Sequence, residues 1–299
     1  MSDLKLPAPA IDLVPHRNRM LLIDSLDEFG QDTGQAYLKI SNKNLFIKNN
    51  GRLDSIVYIE LLAQLIAAHS GYESKLDNAA PKVGFLVGLK DLNIHQSVSA
   101  GDIIDMQIKK DYEFDQITYV SGKIFHDNAL IAEGTLKLWE QPANKFESES
   151  PQIDNQPIKK YQLTGQSAKD IFDGMVLNKV IVQNIYELNL AKDQSSVDAQ
   201  LYFCNDFVGF DGHFPGSPLL PGILMMKSGV LISELALGKP LCVKKIKHAK
   251  FAKSIFPKQK VNLSICFKNK DDMIQISATL SHQDEICAKY SFMTKVEQS

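Results

Sequence analysis

The feature that most restricts this chain is an order of elements that occurs twice: in each half, a helix apolar on nearly every side comes early in a run of alternating segments. The first helix candidate is LDSIVYIELLAQLIAAHSGY (53–72), and the second runs from about Ile223 to Leu237. A helix without a polar face has to be enclosed rather than laid on a surface. RMLLIDSLD and GQAYLKIS precede the first helix, and strand-like runs near 84–95, 103–113, 116–126 and 129–139 follow it. LNKVIVQNIYEL and SSVDAQLYF precede the second, with runs near 242–254, 260–267, 272–280 and 286–296 after it. Period-2 alternation is plain in IIDMQIKKDYEF and VNLSICF, as half-buried strands require. The order β-β-α-β-β-β-β therefore predicts two α+β layers, each an antiparallel sheet wrapped around one central helix. Residues 141–160, QPANKFESESPQIDNQPIKK, lack apolar periodicity and read as an exposed linker between domains over 1–140 and 161–299.

The formal net charge of −2 excludes a general nucleic-acid binder. The first 150 residues hold 15 basic and 21 acidic side chains and the rest 18 and 14, so the second half is mildly basic and suited to an acidic partner. The most apolar run, Leu219–Leu237, contains Lys227 and Glu234 and reads as a core helix, not a membrane span. MSDLKLPAPAIDLV lacks the basic-then-apolar pattern of a signal peptide. Cys204, Cys242, Cys266 and Cys287 form no CxxC or Cys/His cluster. They read as buried thiols in a reducing compartment, so the expectation is a cytoplasmic protein without a metal site.

Two stretches carry chemistry. In HFPGSPLLPG (213–222), three prolines and two glycines specify a rigid loop that ends at a helix start. Pro221-Gly222 places backbone N–H groups at that helix N-terminus, where they stabilise developing negative charge. His213, fixed beside them, is a candidate general base, against the plainer reading of a loop histidine capping a turn. In YIELLAQ, Glu60 and Gln64 are four residues apart and share a helix face. A carboxylate in an apolar helix is costly unless hydrogen-bonded or protonated, and burial is expected to raise its pKa toward that of a general acid. Equally, Glu60, Gln64 and His69 read as a narrow solvated stripe.

HFPGSPLLPGILMM resembles the active-site motif of the hot-dog-fold β-hydroxyacyl–acyl-carrier-protein dehydratases. LVPHRNRMLLIDSL, YIELLAQ and GFLVGLKDLNIHQSVSAGD in the first half are similar to the same family's leading segment, carboxylate-bearing helix, and following strand and turn. The family implies a hot-dog fold in each half and a loop histidine with a helix carboxylate fourteen residues on. Here that carboxylate position falls on Lys227, whereas the first half keeps Glu60 and has Asn44 or Phe46 at the histidine position. The family's members pair across a dimer interface, which implies that the two halves form a pseudo-dimer. His213 would then face Glu60 at one site, and Asn44 or Phe46 would face Lys227 at a second, defunct one. The division also resembles the paired dehydratase components of aryl-polyene and related lipid pathways.

The resemblance further implies reversible dehydration of 3-hydroxyacyl thioesters to trans-2-enoyl thioesters. In it His213 is the base, Gly222 supplies the N–H for the thioester oxygen, and protonated Glu60 is the acid. Gln64 orients Glu60 and, with Phe214 and Pro221, binds substrate. No metal or redox cofactor is implied, because the substrate arrives on the phosphopantetheine of an acyl carrier protein or CoA. Lys245 and Lys247, with His248 beside them in VKKIKHAKFAK, are candidates for carrier docking, or simply a solvated strand face. The alternatives are thioester hydrolysis, with Glu60 activating water, and a non-catalytic acyl-binding or partner subunit.

Overall fold

The computed structural model describes residues 5–80, 82–142, 153–155, 157 and 176–297. The first half contributes β1 (Ala8–Pro9), β2 (Ser25–Leu26), β3 (Glu28–Phe29), β4 (Thr33–Lys39), α1 (Tyr58–Leu76), β5 (Lys82–Ile94), β6 (Ile103–Phe114), β7 (Ile117–His126) and β8 (Ala129–Pro142). The second contributes α2 (Val176–Val182), β9 (Ile185–Leu190), β10 (Ser196–Tyr202), α3 (Gly222–Leu237), β11 (Leu241–Phe251), β12 (Lys260–Lys270), β13 (Met273–His282) and β14 (Glu285–Val296).

All but β1 and β2 join one 12-stranded sheet, in the order β3-β4-β6-β7-β8-β5-β11-β14-β13-β12-β10-β9. The order β4-β6-β7-β8-β5 is mirrored by β10-β12-β13-β14-β11, so the halves are related as two copies of one plan. They meet at the antiparallel pair β5 and β11, with Leu92 opposite Ile246 and Leu89 opposite Ala249. Main-chain bonding across this seam makes the sheet continuous.

Each sheet half curls around its helix. α1 packs against β4, β5, β6 and β7, and α3 against β10 to β13. Ile59, Leu61, Leu62 and Leu65 of α1 and Leu224, Met226, Leu231 and Ile232 of α3 are fully enclosed. Each such side chain contributes about 1.5–3 kcal/mol, which fixes the helices where their absence of a polar face demands. The two α+β layers expected from the repeated order, and the tandem hot-dog fold that the resemblance implies, are the ones observed. Of the four cysteines expected to be buried, Cys287 is, Cys204 and Cys242 are half-buried, and Cys266 is exposed.

Two expected strands differ. The first part of LNKVIVQNIYEL is α2, with Leu177, Asn178, Ile181 and Val182 buried at helical spacing before β9 begins. RMLLIDSLD is mostly irregular, because the Leu22 N–H is given to the Gln64 side chain rather than to a neighbouring strand. The expected linker, 141–160, lies largely outside the described residues. Among the described residues, no helix is long and apolar enough to cross a membrane.

Candidate active site

His213 is positioned by the loop that the glycines and prolines predicted. Gly212 has φ +93°, and a Cβ there would lie 1.8 Å from the Arg17 carbonyl oxygen, so only glycine fits. The Arg17 N–H donates to the Gly212 carbonyl at 3.0 Å, tying the start of the chain to this loop. His213 Nδ1 lies 3.0 Å from the Leu219 carbonyl oxygen. A carbonyl only accepts, so Nδ1 carries the hydrogen and Nε2 keeps a lone pair. Burial, reinforced by the neighbouring His16, pushes the His213 pKa down to about 4, against the pull of Glu60. The imidazole is therefore neutral at neutral pH, with Nε2 open to accept a proton.

Glu60 stands in the first turn of α1, where the helix dipole favours an anion. Its side chain is only 7% exposed. The Gln64 amide donates to Glu60 Oε1 at 2.8 Å and to the Met20 carbonyl at 2.8 Å, while Gln64 Oε1 accepts from Leu22 N–H at 2.9 Å. Every contact of Gln64 is thus inside the protein, behind Glu60. His16 Nε2 lies 3.4 Å from the same Glu60 oxygen. Burial alone would raise the Glu60 pKa, as the sequence suggested. The adjacent His16 imidazole, then the His213 ring and the Gln64 amide, outweigh it and hold the carboxyl well below the usual range. In the free protein the balance favours the carboxylate, opposite in direction to what burial alone would give.

The two groups come together. His16, Glu60 and His213 each present one ligand atom, and these lie within 4.8 Å of one another. The His16 ring centroid is 5.3 Å from that of His213. All three line a cavity of about 600 Å³, within the ordinary range for small-molecule sites. Both halves build its walls, with Phe85 and Trp139 from the first and Phe214, Gly222 and Phe251 from the second. Gly222 opens α3, so its N–H has no acceptor within the helix. A Cβ on Gly222 would lie 2.9 Å from the Phe251 ring, and its absence lets the ring close over the helix end.

Of the other expected residues, Phe214 lines the cavity and Gln64 and Pro221 do not. Pro221 caps α3 and Gln64 holds Glu60, so neither is placed to touch substrate. Lys245 pairs with Asp91 at 2.7 Å across the seam between halves, and Lys247 donates to Gln275 at 3.3 Å. Neither lines the cavity, whereas Lys253, paired with Glu285, does. His69 lies apart from Glu60 and Gln64, bonded to the Gly30 carbonyl, so no solvated stripe joins them. His16 was missed as a site residue. Its only signal was membership of the LVPHRNRM segment, since no helical or strand spacing links position 16 to 60 or 213.

The equivalent junction is filled. Lys227 of α3, 3% exposed, donates to Asp54 Oδ2 at 2.6 Å. Asp54 also accepts from Ile56 N–H before α1, and burial of its carboxylate is outweighed by Lys227 and Lys48, which keep its pKa low. This corrects the expected facing pair. Asn44 turns its side-chain oxygen onto the Phe46 N–H, Phe46 is fully buried, and the partner of Lys227 is Asp54. Glu234 lies nearby, its carboxyl pushed up to about 7 by burial despite Lys227. The space left is about 30 Å³, enough for roughly two waters.

Comparisons with known proteins agree with this division. Two family models match in tandem, ApeP-like (ApeP dehydratase) over residues 8–149 and ApeI-like (ApeI dehydratase) over residues 189–291. The 3-hydroxyacyl-[acyl-carrier-protein] dehydratase FabZ of Lactobacillus helveticus (strain DPC 4571) is 32% identical over 85 residues, which are 26% of this chain and 57% of that protein. The chain thus spans little more than half the length of that relative. The enzyme of the same description from Ligilactobacillus salivarius (strain UCC118) is 30% identical over 94 residues, covering 28% of this chain and 67% of the relative. Among solved structures, the dehydratase domain from the CurF module of curacin polyketide synthase covers 94% of this chain and 100% of that one, with a TM-score of 0.55 at 12% identity. An acyl-ACP thioesterase from Bacteroides thetaiotaomicron VPI-5482 covers 88% of this chain and 98% of that one, with a TM-score of 0.51 at 11% identity. Such distant structures speak to fold alone. With both tandem matches, the FabZ relatives and the loop and helix residues in agreement, the chain belongs to the hot-dog-fold 3-hydroxyacyl-acyl-carrier-protein dehydratase family, an ApeP-like half followed by an ApeI-like half.

Proposed function

We propose that this chain converts 3-hydroxyacyl thioesters to trans-2-enoyl thioesters at a single composite site, with His213 from a domain over 161–299 and Glu60 from a domain over 1–140. The observation that carries this reading is that the two side chains, from different halves, share one cavity with His16, their ligand atoms within 4.8 Å of one another. Neutral His213 takes the α-proton on Nε2. The Gly222 N–H, aimed from a helix N-terminus, stabilises charge developing on the thioester oxygen. As the C–O bond breaks, the hydroxyl takes a proton from the Glu60 side of the cavity and departs as water. Gln64 keeps the carboxylate in place for that step. The acyl group is delivered on phosphopantetheine, as an acyl carrier protein or CoA thioester, and neither a metal nor a redox cofactor takes part.

One observation favours thioester hydrolysis as a second reading: an ionised Glu60 is suited to activating water. Incubating the purified chain with 3-hydroxyacyl thioesters on carrier protein and on CoA separates the two. Dehydration gives an enoyl thioester with no free thiol, and hydrolysis gives thiol and free acid. Enoyl formation abolished by His213→Ala and by Glu60→Gln is expected. Thiol release as the main product would overturn the dehydratase reading.

A further inference from the structure

A departing hydroxyl needs a proton, and a carboxyl held low by its neighbours needs one of them to supply it. The residue built against it is His16. Its Nε2 lies 3.4 Å from Glu60 Oε1, and the two side chains are 9% and 7% exposed. The imidazole also lines the substrate cavity. Its backbone is fixed, because the Arg17 guanidinium donates to the carbonyls of Val14 and His16, each at 2.7 Å. The Arg17 N–H in turn bonds to Gly212, next to His213. The Phe214 ring, 5.1 Å from the imidazole, covers another side. His16 Nδ1 is buried with no hydrogen-bond partner among the described residues. Such a costly arrangement is expected where the group acts on what enters the cavity.

We propose that His16 and Glu60 together are the acid of this site, sharing one proton that reaches the departing hydroxyl through the Glu60 carboxyl. This rests on the dehydratase reading. In each turnover the α-carbon gives its proton to His213, the double bond forms and the C–O bond breaks. The shared proton passes from His16 to Glu60 and on to the hydroxyl, which leaves as water, and the pair is then without it. The proton gained by His213 then returns to the pair across ring centroids 5.3 Å apart. The cycle is proton-neutral and needs no other reactant. His16 acts through Glu60 and is a positioning residue in this sense. The groups facing it are Glu60 of α1, His213 of the loop and the Arg17 guanidinium at its own carbonyl. The depressed pKa values of Glu60 and His213 agree with a site whose proton is shared with His16 and kept off His213.

The test compares two leaving groups. A 3-hydroxyacyl thioester needs a proton to lose water, whereas its 3-fluoro analogue loses fluoride without one. His16→Asn and His16→Gln are expected to lower kcat on the hydroxy substrate by about 10²-fold or more, with KM within a few-fold and fluoride elimination near the wild-type rate. His213→Ala should lose both reactions. Equal loss of both reactions in the folded His16 variants, or loss of neither, would overturn the proposal while leaving the dehydratase reading intact. A wild-type chain inert on both substrates would overturn the two together. The intact pair is tested without altering His16, by ¹⁵N-histidine NMR of wild type and Glu60→Gln. At one fixed neutral pH the His16 Nε2 resonance should differ between the two proteins, and an unchanged resonance would contradict the shared proton.

Discussion

At one junction between the halves, Glu60 of α1 shares a cavity of about 600 Å³ with His16 and His213. At the other, Lys227 of α3 is bonded to Asp54, and about 30 Å³ remains. Each junction sets a helix of one half against a segment of the other, and the sheet order around them is mirrored. Backbone symmetry thus provides two equivalent places, and side-chain charge decides what each becomes. An ammonium and a carboxylate in contact satisfy one another and close the space. A carboxylate between two imidazoles leaves a proton to move and a lone pair to receive one.

The largest difference should appear in turnover. His213→Ala or Glu60→Gln is expected to reduce enoyl formation by about 10²–10⁴-fold, measured as kcat at saturating substrate. Asp54→Asn with Lys227→Met should leave the rate per folded molecule unchanged. The closed junction should instead be felt in stability. Lys227→Met alone strands a buried carboxylate and should cost about 3–5 kcal/mol. The double variant should recover most of that in urea unfolding. Failure to recover would mean that the ion pair is not what holds this junction together.

Smaller, but diagnostic, is the dependence of stability on pH. The Glu234 carboxyl is raised from 4.5 to about 7, so between those values the folded state holds a proton that the unfolded state has lost. Stability should therefore fall as pH rises through that window, by about 1–3 kcal/mol, and Glu234→Gln should flatten the fall. His213 has the opposite sign. Its pKa is lowered from 6.5 to about 4, so stability is lost as pH falls across that range, and the acid limb of kcat/KM should lie near pH 4. Unfolding midpoints between pH 4 and 8 for wild type, Glu234→Gln and His213→Gln separate the two slopes. The smallest effect is expected at the seam itself. Lys245→Ala removes an exposed pair with Asp91 and should change stability by about 0–1 kcal/mol.

Much of this was legible from the chain. Two helices without a polar face had to be enclosed, and the alternating runs near 103–113 and 260–267 fall within β6 and β12. The prolines and glycines around His213 announced a rigid loop at a helix start. What was not legible depends on contacts between distant positions. Burial of Glu60 could be inferred from Ile59, Leu61 and Leu62, but His16, which reverses the direction of its pKa, lies far from it in sequence. Asp54, which nothing in its own segment singles out, caps the turn before α1 with one oxygen and reaches Lys227 in the other half with the second. The run LNKVIV is equally apolar as strand or helix, and only packing selected the helix.

The most direct test of the composite site is the rate of enoyl thioester formation in matched preparations of wild type, His213→Ala, Glu60→Ala and the Asp54→Asn/Lys227→Met double variant. Loss of turnover in both single variants, one in each half, with turnover kept in the double variant, is the predicted result. Turnover that survives Glu60→Ala, or that is lost from the folded double variant, would contradict a single working site shared between the halves.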